Sequence, residues 1–132
     1  MSRGAFFDTN VPFYLLAGDP AKASRAEALL ADGGTISVQV LNEFVAVARC
    51  KHATPWPAIE HALSALRHVC RVEPLTESTH ERAVLLAKRY GFPIYDATIA
   101  ASALESGCVT LYSEDFQHGQ TLDGMTILNP FR

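Results

Sequence analysis

This sequence has few cysteines, no net positive charge and no long apolar segment. The three cysteines, Cys50, Cys70 and Cys108, are odd in number and widely spaced. This arrangement excludes a disulfide framework and lacks the spacing of a cysteine metal site, so we expect buried thiols in a reducing cytoplasm. No apolar run approaches the roughly 20 residues that a membrane span needs. The apolar run between Arg3 and Asp8 is too short for a signal peptide, and none is expected.

The charge balance is slightly acidic, at −3 for 132 residues with a pI near 5.9. The chain as a whole therefore lacks the basic footprint of many nucleic-acid-binding proteins. A local basic patch or a bound dication could still supply positive charge. With 48% hydrophobic and 19% charged residues and no internal repeat, the sequence predicts one globular domain spanning residues 1–132.

A carboxylate follows the first apolar run of the chain. Ala5, Phe6 and Phe7 form a run without alternation, which favours a central parallel strand buried on both faces. Asp8 comes directly after it, before a turn marked by Asn10 and Pro12. Since ligands of open α/β sheets gather beyond the carboxyl ends of the strands, this strand is expected to deliver Asp8 to a site.

Strand and helix patterns alternate along the rest of the sequence. We predict strands at 5–7, 35–38, 109–112 and 125–128, and a brief link or edge strand at 71–74. Helices are predicted from Pro12, over 20–32 and 39–50, after Thr54-Pro55, from a Thr76 or Ser78 cap to Gly91, and over 96–104. In the helix after Pro55, Trp56, Ile59, Leu63, Leu66 and Cys70 recur at helical spacing. The alternation indicates an α/β fold with helices on both faces of a mostly parallel sheet.

Four carboxylates have apolar neighbours: Asp8, Glu43, Asp96 and Asp115. Two of them follow strands and two lie early in helices, positions that share one edge of an α/β sheet. All four are therefore expected to converge. Two unit charges 4 Å apart repel by about 4 kcal/mol at an effective dielectric of 20. A hard dication such as Mg²⁺ or Mn²⁺, which prefers oxygen ligands, removes that repulsion and suits phosphodiester hydrolysis.

Each acid also has a purely structural interpretation. Asp8 and Asp96 are possible helix caps, Asp115 a turn residue, and Glu43 one half of a buried pair with an arginine. Asn10 and Ser113 are candidate helpers that orient Asp8, Asp115 or the substrate. Glu114 is expected to point away and His118 to lie in a surface turn. Arg49, Lys51 and His52 either contact a phosphate backbone or form a solvated helix end.

Five segments resemble the PIN domain, and within it the VapC toxins of toxin–antitoxin pairs. They are Phe7-Asp8-Thr9-Asn10-Val11, Val40-Leu41-Asn42-Glu43-Phe44, the segment 95–103, the segment 111–120 and Ile127-Leu128-Asn129-Pro130-Phe131. They occur in the family's order over nearly the whole chain. Ser113 stands where many relatives carry threonine, which keeps the hydroxyl.

The resemblance implies an α/β/α sandwich with a short parallel sheet and a Mg²⁺- or Mn²⁺-dependent endoribonuclease activity. By motif position, Asp8, Glu43, Asp96 and Asp115 would bind the metal, with Asn10 and Ser113 assisting. Relatives usually dimerise and are blocked by an antitoxin in a helical groove. The alternatives are a non-catalytic RNA- or protein-binding module on the same fold, and a phosphotransfer or phosphatase domain. The phosphatase pattern expects a second Asp where Asn10 stands.

Overall fold

A computed structural model describes residues 4–132 of the chain. It contains one six-stranded sheet with the strand order β3-β2-β1-β4-β6-β5. The strands are β1 Ala5–Phe7, β2 Gly34–Ser37, β3 Cys70–Glu73, β4 Thr110–Tyr112, β5 Thr121–Leu122 and β6 Met125–Leu128. The helices are α1 Asn10–Phe13, α2 Pro20–Ala31, α3 Val38–His52, α4 Trp56–Val69, α5 Glu77–Tyr90 and α6 Ile94–Glu105. The result is the predicted three-layer α/β/α sandwich.

β1 lies inside the sheet and pairs in parallel with both β2 and β4. All three of its residues are buried, as the unbroken apolar run predicted. Phe7 lies opposite Tyr112, and the backbone amide of Asp8 donates to the Tyr112 carbonyl over 3.0 Å. The β1–β4 ladder therefore continues one residue further, which fixes the point where Asp8 leaves the sheet.

α3 and α6 carry candidate acids, and their sequences explain where they begin. Ser37 ends β2 and caps α3, its hydroxyl accepting from the amide of Val40. α6 follows Pro93 and is buried almost all round, with small residues such as Ala97 and Ala100 against its neighbours. Its close packing on α3 and α5 fixes the position of its first turn.

Several predicted boundaries differ from those of the structure. α1 begins at Asn10 rather than Pro12, because the turn after Asp8 is already helical. α4 starts after an extended Pro55 without a side-chain cap, and α6 begins at Ile94 rather than Asp96. Thr76 rather than Ser78 caps α5, through a capping box with Thr79.

Two side chains expected in the interior are exposed. Trp56 stands at the first position of α4, where its ring covers the guanidinium of Arg49 instead of entering the core. Cys50 lies on the exposed side of α3. A further element, β5, was not predicted. Asp123-Gly124 forms a tight turn with positive φ at both residues and pairs β5 antiparallel to β6.

No helix within residues 4–132 has the length and apolar character required to cross a membrane.

Candidate active site

The four candidate acids lie at one edge of the sheet. Asp8 follows β1, and Asp115 lies in the segment after β4. Because β1 and β4 run parallel side by side, their carboxyl ends bring these two residues together. Glu43 lies in the second turn of α3, and Asp96 lies in the first turn of α6.

Asp8 is the most enclosed of these acids, with only 1% of its surface exposed. Its Oδ1 accepts from the amide of Thr9 over 2.7 Å, and its Oδ2 accepts from the Ser113 hydroxyl over 2.7 Å. Burial raises the pKa of Asp8 from 3.8 to about 7, and the charges of Asp115 and Glu43 act in the same direction. The two hydrogen bonds oppose this rise without cancelling it. The charged form of Asp8 is therefore disfavoured in the metal-free protein.

Asn10 and Ser113 connect Asp8 to the segment that carries Asp115. The Asn10 amide nitrogen lies 3.1 Å from Asp115 Oδ2 and 3.5 Å from Asp8 Oδ2. Ser113 is fully buried, and its oxygen also accepts from the amide of Asp115 over 3.0 Å. Both side chains thus bridge two acids that are more than 100 positions apart in sequence.

Glu43 is held by neutral donors. Thr9 Oγ1 donates to its Oε1 over 2.9 Å, and Gln39 Nε2 donates to its Oε2 over 2.8 Å. The buried arginine pair considered from the sequence is not formed. Within residues 4–132, the ion pairs join Lys22 to Glu114, Arg71 to Glu73 and Arg82 to Asp123. The negative charge of Glu43 is therefore hydrogen-bonded but not neutralised.

Asp96 faces the same region from α6. Burial raises its pKa, with the charges of Asp115 and Glu43 adding to the rise. Asp96 and Glu43 both line an open cavity of about 530 Å³. Glu43 and Asp115 line a second cavity of about 370 Å³. Glu43 lines both cavities, whereas the buried Asp8 lines neither and contacts the region through Asn10 and Ser113.

The donor chemistry of this region fits a hard dication. All four ligand candidates are carboxylates, and the pKa values of Asp8 and Asp96 are raised in part by the other acids. In the part of the chain that the structure describes, no three His, Cys, Asp or Glu side chains stand in an arrangement that holds an ion. Holding an ion between these acids therefore requires side-chain movement.

The residues around the four acids match only some of the predictions made from the sequence. The Glu114 carboxylate accepts from the Tyr14 hydroxyl and pairs with Lys22 at 3.5 Å, but Glu114 still lines the 370 Å³ cavity, so it does not simply point away as expected. His118 is exposed, and its Nδ1 accepts from the amide of Asn129. Lys51 and His52 line the 370 Å³ cavity.

Residues that sequence reasoning missed are Thr9, Gln39, Tyr14 and Lys22. Gln39 had a local signal, because it lies one helical turn before Glu43. The Thr9–Glu43 and Tyr14–Glu114 contacts join distant parts of the chain and have no signal in the local sequence.

A family model for the PIN domain matches residues 5–121, which is most of the chain. The chain belongs to the PIN domain family. This confirms the family that the five motifs resembled. No match was found among curated protein sequences.

Solved structures of toxin proteins share the fold of this PIN domain. A toxin–antitoxin complex from Klebsiella pneumoniae is 22% identical with a TM-score of 0.72, covering 96% of this chain and 97% of that one. VapC20 from Mycobacterium tuberculosis, described as a sarcin-ricin loop cleaving toxin, is 28% identical with a TM-score of 0.67, over 83% and 88%. VapBC2 from Rickettsia felis, bound to a promoter DNA fragment, is 16% identical with a TM-score of 0.66, over 93% and 96%. The resemblance to VapC proteins inferred from the motifs is confirmed.

Proposed function

We propose that this PIN domain is a Mg²⁺- or Mn²⁺-dependent endoribonuclease that hydrolyses RNA phosphodiester bonds as the toxin of a toxin–antitoxin pair. The observation that carries the proposal is Asp8, a buried carboxylate beside three further acids with no cationic side chain paired to any of them within residues 4–132. The similar VapC20, described as a toxin that cleaves the sarcin-ricin loop, supports RNA as the substrate.

In this proposal Asp8, Glu43, Asp96 and Asp115 hold the ion. When bound, the ion would supply Lewis-acid polarisation of the scissile phosphate. The surrounding side chains keep the acids in place. Ser113 and the Thr9 amide fix Asp8, while Thr9 and Gln39 fix both oxygens of Glu43. Such outer contacts typically contribute 10- to 100-fold to metal affinity or activity.

The proposed partners are an antitoxin protein and a second copy of the chain, in the cytoplasm. Toxin–antitoxin complexes among the similar structures support the antitoxin. An apolar groove of about 240 Å³ between α2 and α4, lined by Leu15, Leu30, Leu66 and Val69, offers it a surface. The three cysteines are unpaired, as expected in a reducing compartment.

Purified protein should cleave RNA in Mg²⁺ or Mn²⁺ and lose this activity in EDTA. Asp8→Asn and Asp96→Asn are expected to lower the cleavage rate about a hundredfold or more, since they remove ligands rather than their outer contacts. Ser113→Ala should lower it about tenfold or more, because it removes an outer contact that positions Asp8. Asp32→Asn, at an exposed position after α2, is the matched control. Gel analysis of a broad RNA panel measures these rates.

Equal cleavage with and without EDTA would contradict metal dependence. RNA binding without turnover under every metal would support the alternative of a non-catalytic module on this fold. Capture of a phosphoryl group on Asp8 would favour the phosphotransfer alternative. In cells, expression should arrest growth, and coexpression with its cognate antitoxin should relieve the arrest. An arrest that Asp96→Asn leaves intact would count against the toxin mechanism.

A further inference from the structure

The 370 Å³ cavity beside the acids has two chemically different ends. Asn10, Glu43, Glu114 and Asp115 line the end that belongs to the candidate active site, and Glu114 is paired there with Lys22. Lys51 and His52, from the last turn of α3, line the opposite end. A ligand that fills the cavity therefore meets the acid site on one side and a basic group on the other.

Between these ends the cavity has an apolar lining. Phe13, Ala17 and Val47 contribute to it, and Phe13 is nearly buried. The Phe13 ring lies 5.0 Å from the imidazole of His52 and 5.8 Å from the ring of Phe44. The lining is thus backed by packed side chains, while the His52 ring is exposed at the rim.

Lys51 is the cation at this end that is available to a ligand. Arg49, one half-turn earlier, donates to the Thr54 carbonyl and stacks on Trp56. Lys51 is exposed, and no carboxylate within residues 4–132 forms an ion pair with it. A phosphate would gain a charge-assisted contact there.

We propose that this cavity is a base subsite, which takes one unstacked nucleobase of an RNA strand next to the cleaved phosphodiester, with Lys51 contacting the neighbouring phosphate. The proposal rests on the proposed ribonuclease function and deepens it. A flat apolar base suits the lining and the His52 ring, and the two polar ends match the two phosphates that flank a nucleoside. A paired base cannot enter without leaving its stack, so the substrate class is single-stranded or looped RNA.

The direct test is NMR titration of the protein in Mg²⁺ with the four nucleoside 5′-monophosphates, and with ribose 5-phosphate as the probe that lacks a base. Nucleotides should shift the methyl signals of Val47 and Ala17, and ribose 5-phosphate should not. Equal shifts from both probes would overturn the subsite, because only a phosphate would then be recognised. Nucleotide-dependent shifts confined to other surfaces would overturn it as well.

Variants of His52 and Lys51 test the ring contact with the base and the charge contact with the phosphate separately. His52→Ala should weaken nucleotide binding about fivefold or more, and His52→Phe should restore it, because stacking on a ring does not require the imidazole. Lys51→Ala should weaken binding of nucleotides and ribose 5-phosphate alike. His61→Ala and Lys88→Ala, exposed on α4 and α5, are matched controls.

Cleavage assays distinguish this proposal from the ribonuclease proposal. If RNA is cleaved but His52→Ala and Lys51→Ala leave the KM for a looped RNA unchanged, the base-subsite proposal is wrong. The ribonuclease proposal is then still supported. If no RNA is cleaved but nucleotides shift the methyl signals of Val47 and Ala17, the ribonuclease proposal is wrong. The cavity is then still supported as a nucleotide-binding site. Cleavage of a fully paired duplex as fast as of its loop would contradict the predicted substrate class.

Discussion

At Asp8 the protein keeps a carboxylate where its charge is unfavourable. The pKa of Asp8 is raised from 3.8 to about 7, chiefly by burial, so the folded chain binds more protons than the unfolded chain between these values. The free energy of unfolding of the metal-free protein should therefore fall as pH rises from about 4 to about 7. Each pKa unit corresponds to about 1.4 kcal/mol, so the full contribution of Asp8 is on the order of 4 kcal/mol.

We predict that Asp8→Asn stabilises the metal-free protein above pH 7 and much less at pH 4. Urea unfolding in EDTA across this range measures the difference, with Asp32→Asn as the control for the change of residue type. Adding Mg²⁺ at pH 8 should stabilise the unmodified protein more than the Asp8→Asn variant, by mass action. If the stability difference between the unmodified protein and the Asp8→Asn variant does not change with pH, the pKa of Asp8 is not raised in the folded protein.

At the scale of the elements, one contact cluster fixes the segment after β4. Lys22, in the first turn of α2, donates to the Tyr14 hydroxyl over 3.0 Å and pairs with Glu114 at 3.5 Å. The Tyr14 ring, just after α1, packs on Phe131 with 4.6 Å between centroids. Glu114 is thereby held away from Asp115, its neighbour in sequence. Glu114 lines the 370 Å³ cavity together with Asp115, but its carboxylate is already engaged by Lys22 and Tyr14.

A double-mutant cycle on Lys22→Met and Glu114→Gln should give a small favourable coupling energy in urea unfolding. The coupling is small because both side chains are partly exposed, which weakens an ion pair. Tyr14→Phe should reduce the coupling, since its hydroxyl contacts both partners. Lys88→Met combined with Glu114→Gln is the control and should give no coupling. Strictly additive effects for Lys22 and Glu114 would contradict the cluster.

The elements themselves were largely predictable. The order of strands and helices and the end of α5 at Gly91 follow from local patterns and match the structure. The misses have local causes. β5 was missed because it has only two residues, although the Asp123-Gly124 turn that follows it is a hairpin signal. Trp56 fits the apolar stripe of α4 but is exposed because it is the first residue of that helix.

At the scale of the whole molecule, an apolar surface lies beside the candidate site. Leu75, Ile94 and Tyr95 line one shallow cavity with Thr76 and Thr98, and Tyr95 is 65% exposed. Tyr95 directly precedes Asp96. Burying these side chains against a second copy would remove apolar area from water at about 25 cal/mol per Å².

We predict that the protein forms a homodimer through this surface and that Tyr95→Glu shifts it towards the monomer. Light scattering after size exclusion at micromolar concentration measures the mass. Val109→Glu is the matched control, since Val109 is equally exposed but lies before β4, at the opposite edge of the sheet. A monomeric unmodified protein would contradict the prediction, and an unchanged dimer in Tyr95→Glu would place the interface elsewhere.

Local sequence patterns predict the α/β class, the strand that delivers Asp8 and the four candidate acids, because these depend on apolar periodicity and on charge placed within apolar surroundings. How the acids are held depends on long-range contacts. Thr9 and Glu43 are 34 positions apart, and Ser113 and Asp8 are 105 apart. Contacts of this kind depend on which strands and helices become neighbours in the folded sheet, and no local pattern in the chain records that.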